Sequence, residues 1–252
     1  MIDTRALYLD LMKRCLIDMI YAEQQEQPSL PALRPGPYSA KRRAEGRDWP
    51  TYAHTMIGMK RLDNLQFCVE DALTRGIPGD LMETGVWRGG ATILMRAILK
   101  EYDIQDRNVW VADSFEGLPL PDVATYPADA GDKHHEFEDL AVSLEQVQSN
   151  FAKYGLLDGQ VKFLRGWFRD TLAAAPVTKL AVLRLDGDMY ESTIIALRTL
   201  YPKLAVGGYV IIDDYGAIPK CKEAVHDYRQ ECSLKEEIVA IDWTGAYWQK
   251  AA

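Results

Sequence analysis

Beyond about residue 80, short apolar runs alternate along the chain with longer segments that are apolar on one face only. Five runs predict β-strands, at residues 80–84, 108–113, 161–164, 180–186 and 209–213. Four segments predict helices, at residues 89–102, 143–154, 190–204 and 220–232. Strands separated by helices are typical of βαβ units, in which helices cover both faces of a largely parallel sheet. The pattern therefore predicts a doubly wound α/β fold.

The pattern changes near the end of the chain. Residues 237–242 and 246–249 are two further apolar runs, and only Trp243, Thr244 and Gly245 separate them. Two strands joined by a short glycine-containing turn form a hairpin. We therefore expect a seven-stranded, mostly parallel sheet whose last strand is antiparallel.

The first fifty residues follow another pattern. Residues 1–20 carry apolar side chains near helical spacing and predict an amphipathic helix that packs on the body or on a second subunit. Residues 23–47 contain four prolines and the basic residues Lys41, Arg42 and Arg43, which we expect to be solvated on a long loop. A helix is predicted next, at 55–74. We divide the chain into residues 1–50, an N-terminal helix and lid loop, and residues 51–252, the main domain.

A second long loop is predicted between the second strand and the helix at 143. Residues 117–140 are polar and acidic, and they include His134 and His135. Long irregular segments in a compact protein are often lids or binding loops. Both long loops are candidates to cover one site.

Charge and cysteine content indicate which partners and which cellular location to expect. Of 252 residues, 29 are Lys or Arg and 37 are Asp or Glu, so the net charge is −8, which disfavours nucleic acid and anionic membranes as partners. No apolar run is long enough for a membrane span. The four cysteines form no C-x-x-C pair, which indicates reduced thiols and a cytoplasmic location.

The turn after the first strand suggests a nucleoside ligand. Gly85 begins a glycine-containing turn into a helix, but Trp87 occupies the position where a dinucleotide fingerprint requires glycine, which argues against NAD. Asp113 ends the second strand, where a carboxylate can accept both hydroxyls of a ribose. Trp167, after the third strand, is a candidate wall for an adenine ring. An adenosine-type cofactor without a pyrophosphate is therefore expected.

Carboxylates gather at two other strand ends. Asp186 and Asp188 follow one strand, and Asp213 and Asp214 follow the next. These ends should be neighbours in a doubly wound sheet, where unscreened carboxylates repel each other strongly. Oxygen ligands without His or Cys favour a hard cation such as Mg²⁺ at Asp186, Asp213 and Asp214. Asp188 would then be free to accept a proton from a substrate hydroxyl.

The chain resembles the macrocin O-methyltransferase family, whose members are class I S-adenosylmethionine enzymes that methylate hydroxyls of antibiotic sugars. The resemblance extends from about residue 51 to the end. The matching stretches are residues 55–62, 83–90, 113–117, 166–171, 186–188 and 213–215.

The resemblance implies a class I methyltransferase fold, S-adenosylmethionine and Mg²⁺ as cofactors, and an O-methyltransferase that acts on a hydroxylated, glycosylated small molecule. It implies pairing of two subunits through N-terminal elements. It also assigns Asp186, Asp213 and Asp214 to the metal and Asp188 as the base. The implied cofactor-binding residues are Thr55, Met56, Glu83, Gly85, Asp113, Ser114 and Ser143.

Two alternatives remain at this point. One is an NAD-dependent sugar-modifying enzyme, against which Trp87 and the carboxylates argue. The other is a non-catalytic small-molecule binding module, against which the intact aspartates argue. The sequence does not identify the acceptor or the hydroxyl that is methylated.

Overall fold

The computed structural model describes residues 3–21 and 38–252. Its helices are α1 (Thr4–Leu16), α2 (Ala40–Ala44), α3 (Gly58–Thr74), α4 (Gly90–Glu101), α5 (Leu144–Lys153), α6 (Phe168–Thr171), α7 (Tyr190–Leu200) and α8 (Pro219–Glu231). Its strands are β1 (Asp80–Thr84), β2 (Val109–Asp113), β3 (Val161–Arg165), β4 (Leu180–Leu185), β5 (Leu204–Ile212), β6 (Val239–Ala240) and β7 (Ala246–Gln249).

The seven strands form one sheet in the order β3-β2-β1-β4-β5-β7-β6. Strands β1 to β5 pair in parallel, and β7 runs antiparallel to both β5 and β6. The strand order reverses between β1 and β4, and ligands of such sheets bind beyond the carboxyl ends of the strands at that reversal. The predicted sheet and its antiparallel last strand are confirmed.

One hydrophobic core lies on each face of the sheet. Side chains from α1, α3, α4 and α5 form the first core, and side chains from α7 and α8 form the second with the buried Trp248 of β7. Strand β4 is buried along its whole length, because helices cover it on both faces. Burial of this kind fixes where the carboxyl ends of β1 and β4 lie.

Several predicted boundaries differ from the structure, and three of the differences have a clear position in the chain. Helix α3 begins at Gly58 rather than at 55, because residues 51–57 cross the start of α4 as irregular chain. Helix α7 ends at Leu200 and a 3₁₀ turn follows, since Pro202 cannot continue an α-helix. Strand β5 begins at Leu204, five residues earlier than predicted.

The N-terminal segment is built differently from the prediction over residues 38–50. Arg43 is not solvated: it lies in α2, is buried, and pairs with Asp48 at 2.8 Å. It also donates to the carbonyl of Ile17 at 2.8 Å, so α2 is attached to the end of α1. The prediction of a solvated face was wrong for Arg43, because a buried carboxylate and a carbonyl compensate its charge. Residues 23–37 of the predicted loop lie outside the described residues.

Helix α1 packs in the same core as α3 and α4, through Leu9 and Leu16 among others. The division of the chain at residue 50 remains a prediction. All four cysteines are free thiols. Within residues 3–21 and 38–252, no helix combines the length and apolarity that a bilayer span requires.

Candidate active site

A cavity of about 570 Å³ opens at the carboxyl ends of β1, β2, β4 and β5. Ser143 is the one predicted site residue outside its lining: its hydroxyl accepts a hydrogen bond from the Gln146 main-chain nitrogen at 3.2 Å and caps α5. The other predicted site residues line the cavity: Thr55, Met56, Glu83, Gly85, Asp113, Ser114, Trp167, Asp186, Asp188, Asp213 and Asp214.

The turn after β1 lies directly against the turn after β4. Gly85 has φ of 81°, and a Cβ there would lie 1.6 Å from the carbonyl oxygen of Asp186. The main-chain nitrogen of Asp186 donates to the carbonyl of Thr84 at 2.9 Å. Only glycine permits this approach. Gly85 therefore sets the spacing between the two halves of the site.

Backbone donors hold the carboxylate of Asp113. It accepts hydrogen bonds from the main-chain nitrogens of Val86 at 2.7 Å and Phe115 at 2.8 Å. Burial raises the pKa of Asp113, and these bonds oppose that effect. The carboxylate is thus fixed at the cavity wall, where it can accept hydroxyl hydrogen bonds from a ribose.

Residues 51–57 pass over the N-terminus of α4. The main-chain nitrogen of Gly90 donates to the carbonyl of His54 at 2.9 Å, and a Cβ on Gly90 would collide with that carbonyl. Arg88 donates to the carbonyls of Thr51 at 2.8 Å and Ala53 at 3.0 Å. These contacts place Thr55 and Met56 on the cavity wall.

The carboxylates of Asp186, Asp213 and Asp214 converge. One oxygen of each lies within 4.8 Å of the other two. The main-chain nitrogen of Asp188 donates to Asp214 at 3.3 Å, and Asp188 has the strained left-handed φ of 58°. Two neighbouring strand ends therefore bring four acidic side chains to one end of the cavity.

Burial is the first cause of the altered acidity in this cluster. It raises the pKa of Asp186 to about 7, with Asp213 adding to the effect and Arg184 opposing it. It raises the pKa of Asp188 to about 6, and it raises the pKa of Asp214 well above its ordinary value. Desolvation and like charges both disfavour ionised carboxyls. A bound cation would relieve both.

Two buried arginines, which sequence reasoning missed, stand behind the cluster. Arg184 in β4 is 1% exposed and pairs with Glu83, with Asp213 and, at 2.8 Å, with Asp186. Arg61 in α3 pairs with Asp213 and, at 3.2 Å, with Asp242. The position of Arg184 within an otherwise apolar strand could have indicated a buried ion pair, since charged residues are rarely buried unless paired.

The donor set fits a hard cation. Even with Arg61 and Arg184 counted, carboxylates outnumber guanidinium groups around the cluster. Each carboxylate oxygen has two lone pairs, so an oxygen bonded to a guanidinium can still bind a metal. Among the described residues, the three converging aspartates are the group able to hold an ion. Oxygen-only ligands suit Mg²⁺ better than Zn²⁺.

The segment between β2 and α5 forms another wall of the cavity. Asp129, fully buried, accepts hydrogen bonds from the main-chain nitrogens of Tyr190 and Glu191, both at 2.8 Å, and so caps α7. Trp87 donates from its indole nitrogen to the carbonyl of Asp139 at 2.8 Å. The segment is thereby attached both to the helix that follows Asp188 and to the turn that follows β1.

Aromatic rings line the outer part of the cavity. Trp49 and Trp87 meet edge to face with ring centroids 6.3 Å apart, and Phe137, Trp167 and Trp243 complete the wall. Rings of this kind provide flat apolar surface for a bulky ligand. The cavity therefore combines a charged end at the carboxylates with an aromatic outer region.

Known O-methyltransferases match the chain over nearly its whole length. The family model described as macrocin-O-methyltransferase (TylF) matches residues 5–250. A relative from Streptomyces olivaceus, 8-demethyl-8-(2,3-dimethoxy-alpha-L-rhamnosyl)-tetracenomycin-C 4'-O-methyltransferase, is 54% identical over 251 residues, which cover 99% of this chain and 95% of the relative. Mycinamicin III 3''-O-methyltransferase from Micromonospora griseorubida is 53% identical over 249 residues, which cover 98% of this chain and 97% of the relative.

A solved structure agrees with both sequence comparisons. The O-methyltransferase NovP superposes with a TM-score of 0.92 at 51% identity, covering 98% of this chain and 100% of NovP. An NAD-dependent enzyme and a non-catalytic binding module, the two alternatives to a methyltransferase, are thereby excluded. The chain belongs to the macrocin-O-methyltransferase family and is an S-adenosylmethionine-dependent O-methyltransferase.

Proposed function

We propose that this enzyme methylates a sugar hydroxyl of a glycosylated small molecule in a Mg²⁺-dependent reaction. The observation that carries the proposal is the convergence of Asp186, Asp213 and Asp214 beside Asp188, at one end of a cavity that also contains Asp113. S-adenosylmethionine supplies an electrophilic methyl group when bound, and Mg²⁺ supplies positive charge that acidifies a nearby hydroxyl.

The cofactor would occupy the β1 and β2 side of the cavity. Asp113 would accept the ribose hydroxyls, and Gly85 would leave room for the chain of the cofactor. Trp167 would contact the adenine ring. The remaining residues of the proposed site are Thr55, Met56, Glu83 and Ser114, with Ser143 proposed from the family resemblance although it caps α5.

Glu83 would act through a buried ion pair in the cavity wall. It is almost fully buried and pairs with Arg184, which also contacts Asp186 and Asp213. Burial raises the pKa of Glu83, and Arg184 opposes that effect. We propose that Glu83 fixes Arg184 and so connects the cofactor side to the metal side.

Asp188 is the proposed base. Its carboxyl lines the cavity, while its main-chain nitrogen, bonded to Asp214, fixes the turn. Asp186, Asp213 and Asp214 would hold the metal and so have engaged lone pairs. Asp188 keeps a free oxygen that can accept the proton of the acceptor hydroxyl.

The acceptor class rests on the relatives and on the cavity wall. The two relatives are named as methyltransferases of a rhamnosyl-tetracenomycin and of mycinamicin III. The aromatic outer region formed by Trp49, Trp87 and Trp243 suits the bulky part of such a molecule.

We propose a homodimer and a cytoplasmic location. Leu7 and Leu11 of α1 are 62% and 51% exposed, and their spacing puts them on one helix face, where a second subunit can cover them. The free thiols suit a reducing compartment. Sedimentation would test the dimer, and Leu7→Glu with Leu11→Glu should yield monomers.

The test of the reaction is a methyl-transfer assay with labelled S-adenosylmethionine and the acceptors of the two relatives. We expect methylated product in Mg²⁺, loss of turnover on chelation by EDTA, and recovery when Mg²⁺ is added back. Full turnover in metal-free buffer would contradict the metal site. Methylation of simple phenols but of neither glycoside would contradict the acceptor class.

A further inference from the structure

In the segment between β2 and α5, a histidine that lines the cavity pairs with a buried aspartate. Asp132 is 4% exposed, and its two carboxylate oxygens lie 2.9 and 3.0 Å from Nδ1 of His134. Asp132 also accepts a hydrogen bond from the main-chain nitrogen of His134 at 2.9 Å. Two separate contacts therefore join His134 to Asp132, one through the imidazole ring and one through the main-chain nitrogen.

The pairing fixes the state of the imidazole. A carboxylate can only accept, so the proton of the neutral ring resides on Nδ1 and Nε2 keeps its lone pair. No described residue makes a hydrogen bond to Nε2 of His134. Phe137 packs edge to face on the ring, with centroids 5.9 Å apart, and limits its rotation.

The ring lies at the reacting end of the cavity. His134 and Asp188 both line it. Burial raises the pKa of Asp188, and a positive charge on His134 would lower it, so the two side chains are close enough to interact. His134 itself is 30% exposed, so the ring has contact with both the cavity and solvent.

Hydrogen bonds attach the residues just before the Asp132–His134 pair to α7 and α8. Asp129, three residues before Asp132, caps α7, and Lys220 donates to the carbonyl of Ala130 at 3.0 Å. Because α7 begins at Tyr190, two residues after Asp188, the same helix start positions both Asp188 and the segment that carries His134.

We propose that His134, oriented by Asp132, accepts at Nε2 the proton that Asp188 takes from the acceptor hydroxyl, and releases it to solvent. The inference rests on the proposed function, in which Asp188 meets that hydroxyl first. His134 is then a further catalytic residue, and Asp132 is a positioning residue that acts through it.

The step balances. The acceptor O–H bond breaks as its oxygen bonds the methyl carbon, and the S–CH₃ bond breaks with its electron pair left on sulfur. The sulfonium charge is lost, and one proton leaves the acceptor. Asp188 takes that proton and passes it to Nε2 of His134, and Asp188 is again a carboxylate. His134 then carries the proton as an imidazolium, which Asp132 stabilises, until water takes it.

The first test needs no substrate. In enzyme labelled with ¹⁵N-histidine, NMR should show Nδ1–H and an unprotonated Nε2 for His134, assigned by its loss in His134→Ala. Asp132→Asn should abolish this preference. An Nε2–H tautomer in the wild-type enzyme would overturn the proposal even if the variants fold poorly.

The second test is kinetic, with mycinamicin III and the rhamnosyl-tetracenomycin as acceptors. His134→Ala should lower kcat by about 10–100-fold, at or below the usual contribution of a positioned base, with KM nearly unchanged. Added imidazole should restore part of kcat. His135→Ala is the matched control, since His135 shares the 3₁₀ turn but does not line the cavity.

The outcomes separate the two proposals. An unchanged kcat in His134→Ala, a change in KM alone, or no rescue by imidazole overturns the role of His134 and leaves Asp188 in place. Full activity in Asp188→Asn contradicts the proposed base instead. If neither acceptor is methylated, the proposed acceptor class fails, and the NMR tautomer decides the inference.

Discussion

The two ends of the cavity fix their carboxylates in different ways. At the β2 end, main-chain nitrogens of Val86 and Phe115 hold Asp113, and no cation is needed. At the β4 and β5 end, Asp186 and Asp213 depend on the buried guanidinium of Arg184. The first arrangement is suited to binding hydroxyls. The second leaves an excess of negative charge that a metal can neutralise.

The largest expected effect is on the base at the second end. Asp188→Asn should reduce the methyl-transfer rate by roughly 10²–10⁴-fold, the usual contribution of a positioned base. Metal affinity should change little, because Asp188 is not one of the three converging ligands. Asp186→Asn should instead raise the Mg²⁺ concentration for half-maximal rate. If excess Mg²⁺ rescues Asp188→Asn rather than Asp186→Asn, the two roles are reversed.

The next effect is on stability. Arg184→Met leaves buried carboxylates without their partner and should lower the unfolding free energy by about 3–5 kcal/mol. Arg198→Met is the matched control, since Arg198 pairs with Glu231 where both side chains are 50% exposed. We expect a loss of less than about 1 kcal/mol there. Urea unfolding measures the loss of unfolding free energy in both variants. Equal losses would mean that the buried ion pairs of Arg184 contribute no more to stability than the exposed pair of Arg198.

The first end should respond through cofactor binding. Asp113→Ala removes an acceptor of hydroxyl hydrogen bonds, each worth about 1.5–3 kcal/mol when one group is charged. Calorimetry with S-adenosylhomocysteine should therefore show weaker binding. Asp80→Ala is the control, because Asp80 also accepts hydrogen bonds, from Asn108 and Trp110, but at the opposite end of β1. Wild-type affinity in Asp113→Ala would remove this residue from the site.

The pH dependence of stability should report on the acidic cluster at the second end. In the folded protein the pKa of Asp186 is about 7 and that of Asp188 about 6, both above the ordinary value near 4. Between these values the folded state binds more protons than the unfolded state, so metal-free protein should lose stability as pH rises from about 4 to about 7. The loss should be smaller in Mg²⁺, which holds these carboxylates ionised. If the stability of the metal-free protein instead rises over this pH interval, the pKa values of Asp186 and Asp188 are not raised in the folded state.

The sequence was informative where chemistry follows strand ends. Gly85, Asp113 and the aspartates after β4 and β5 could be placed because parallel strands end at one edge of a sheet. Arg61 could not, since an arginine on an amphipathic helix carries no sign of a partner far along the chain, at Asp213.

The segment between β2 and α5 was predicted as a long loop and a candidate to cover the site, but its contacts were not predicted. Its attachment depends on Asp129, whose capping of α7 joins residues 61 positions apart. Nothing local in the sequence indicates such a contact. The pairing of Asp132 with His134 was equally hidden, because a two-residue spacing of Asp and His is common on solvated loops.

The most direct test of the account is metal binding in solution without substrate. Calorimetric titration with Mn²⁺ should show one site in the wild-type enzyme, for which Mg²⁺ competes. Asp213→Asn should weaken it by at least about 10-fold, the lower limit seen when even indirect metal contacts are lost. Asp80→Asn should bind like wild type. Absence of binding in the wild type, or equal affinity in Asp213→Asn, would contradict the assignment of Asp186, Asp213 and Asp214 to a metal.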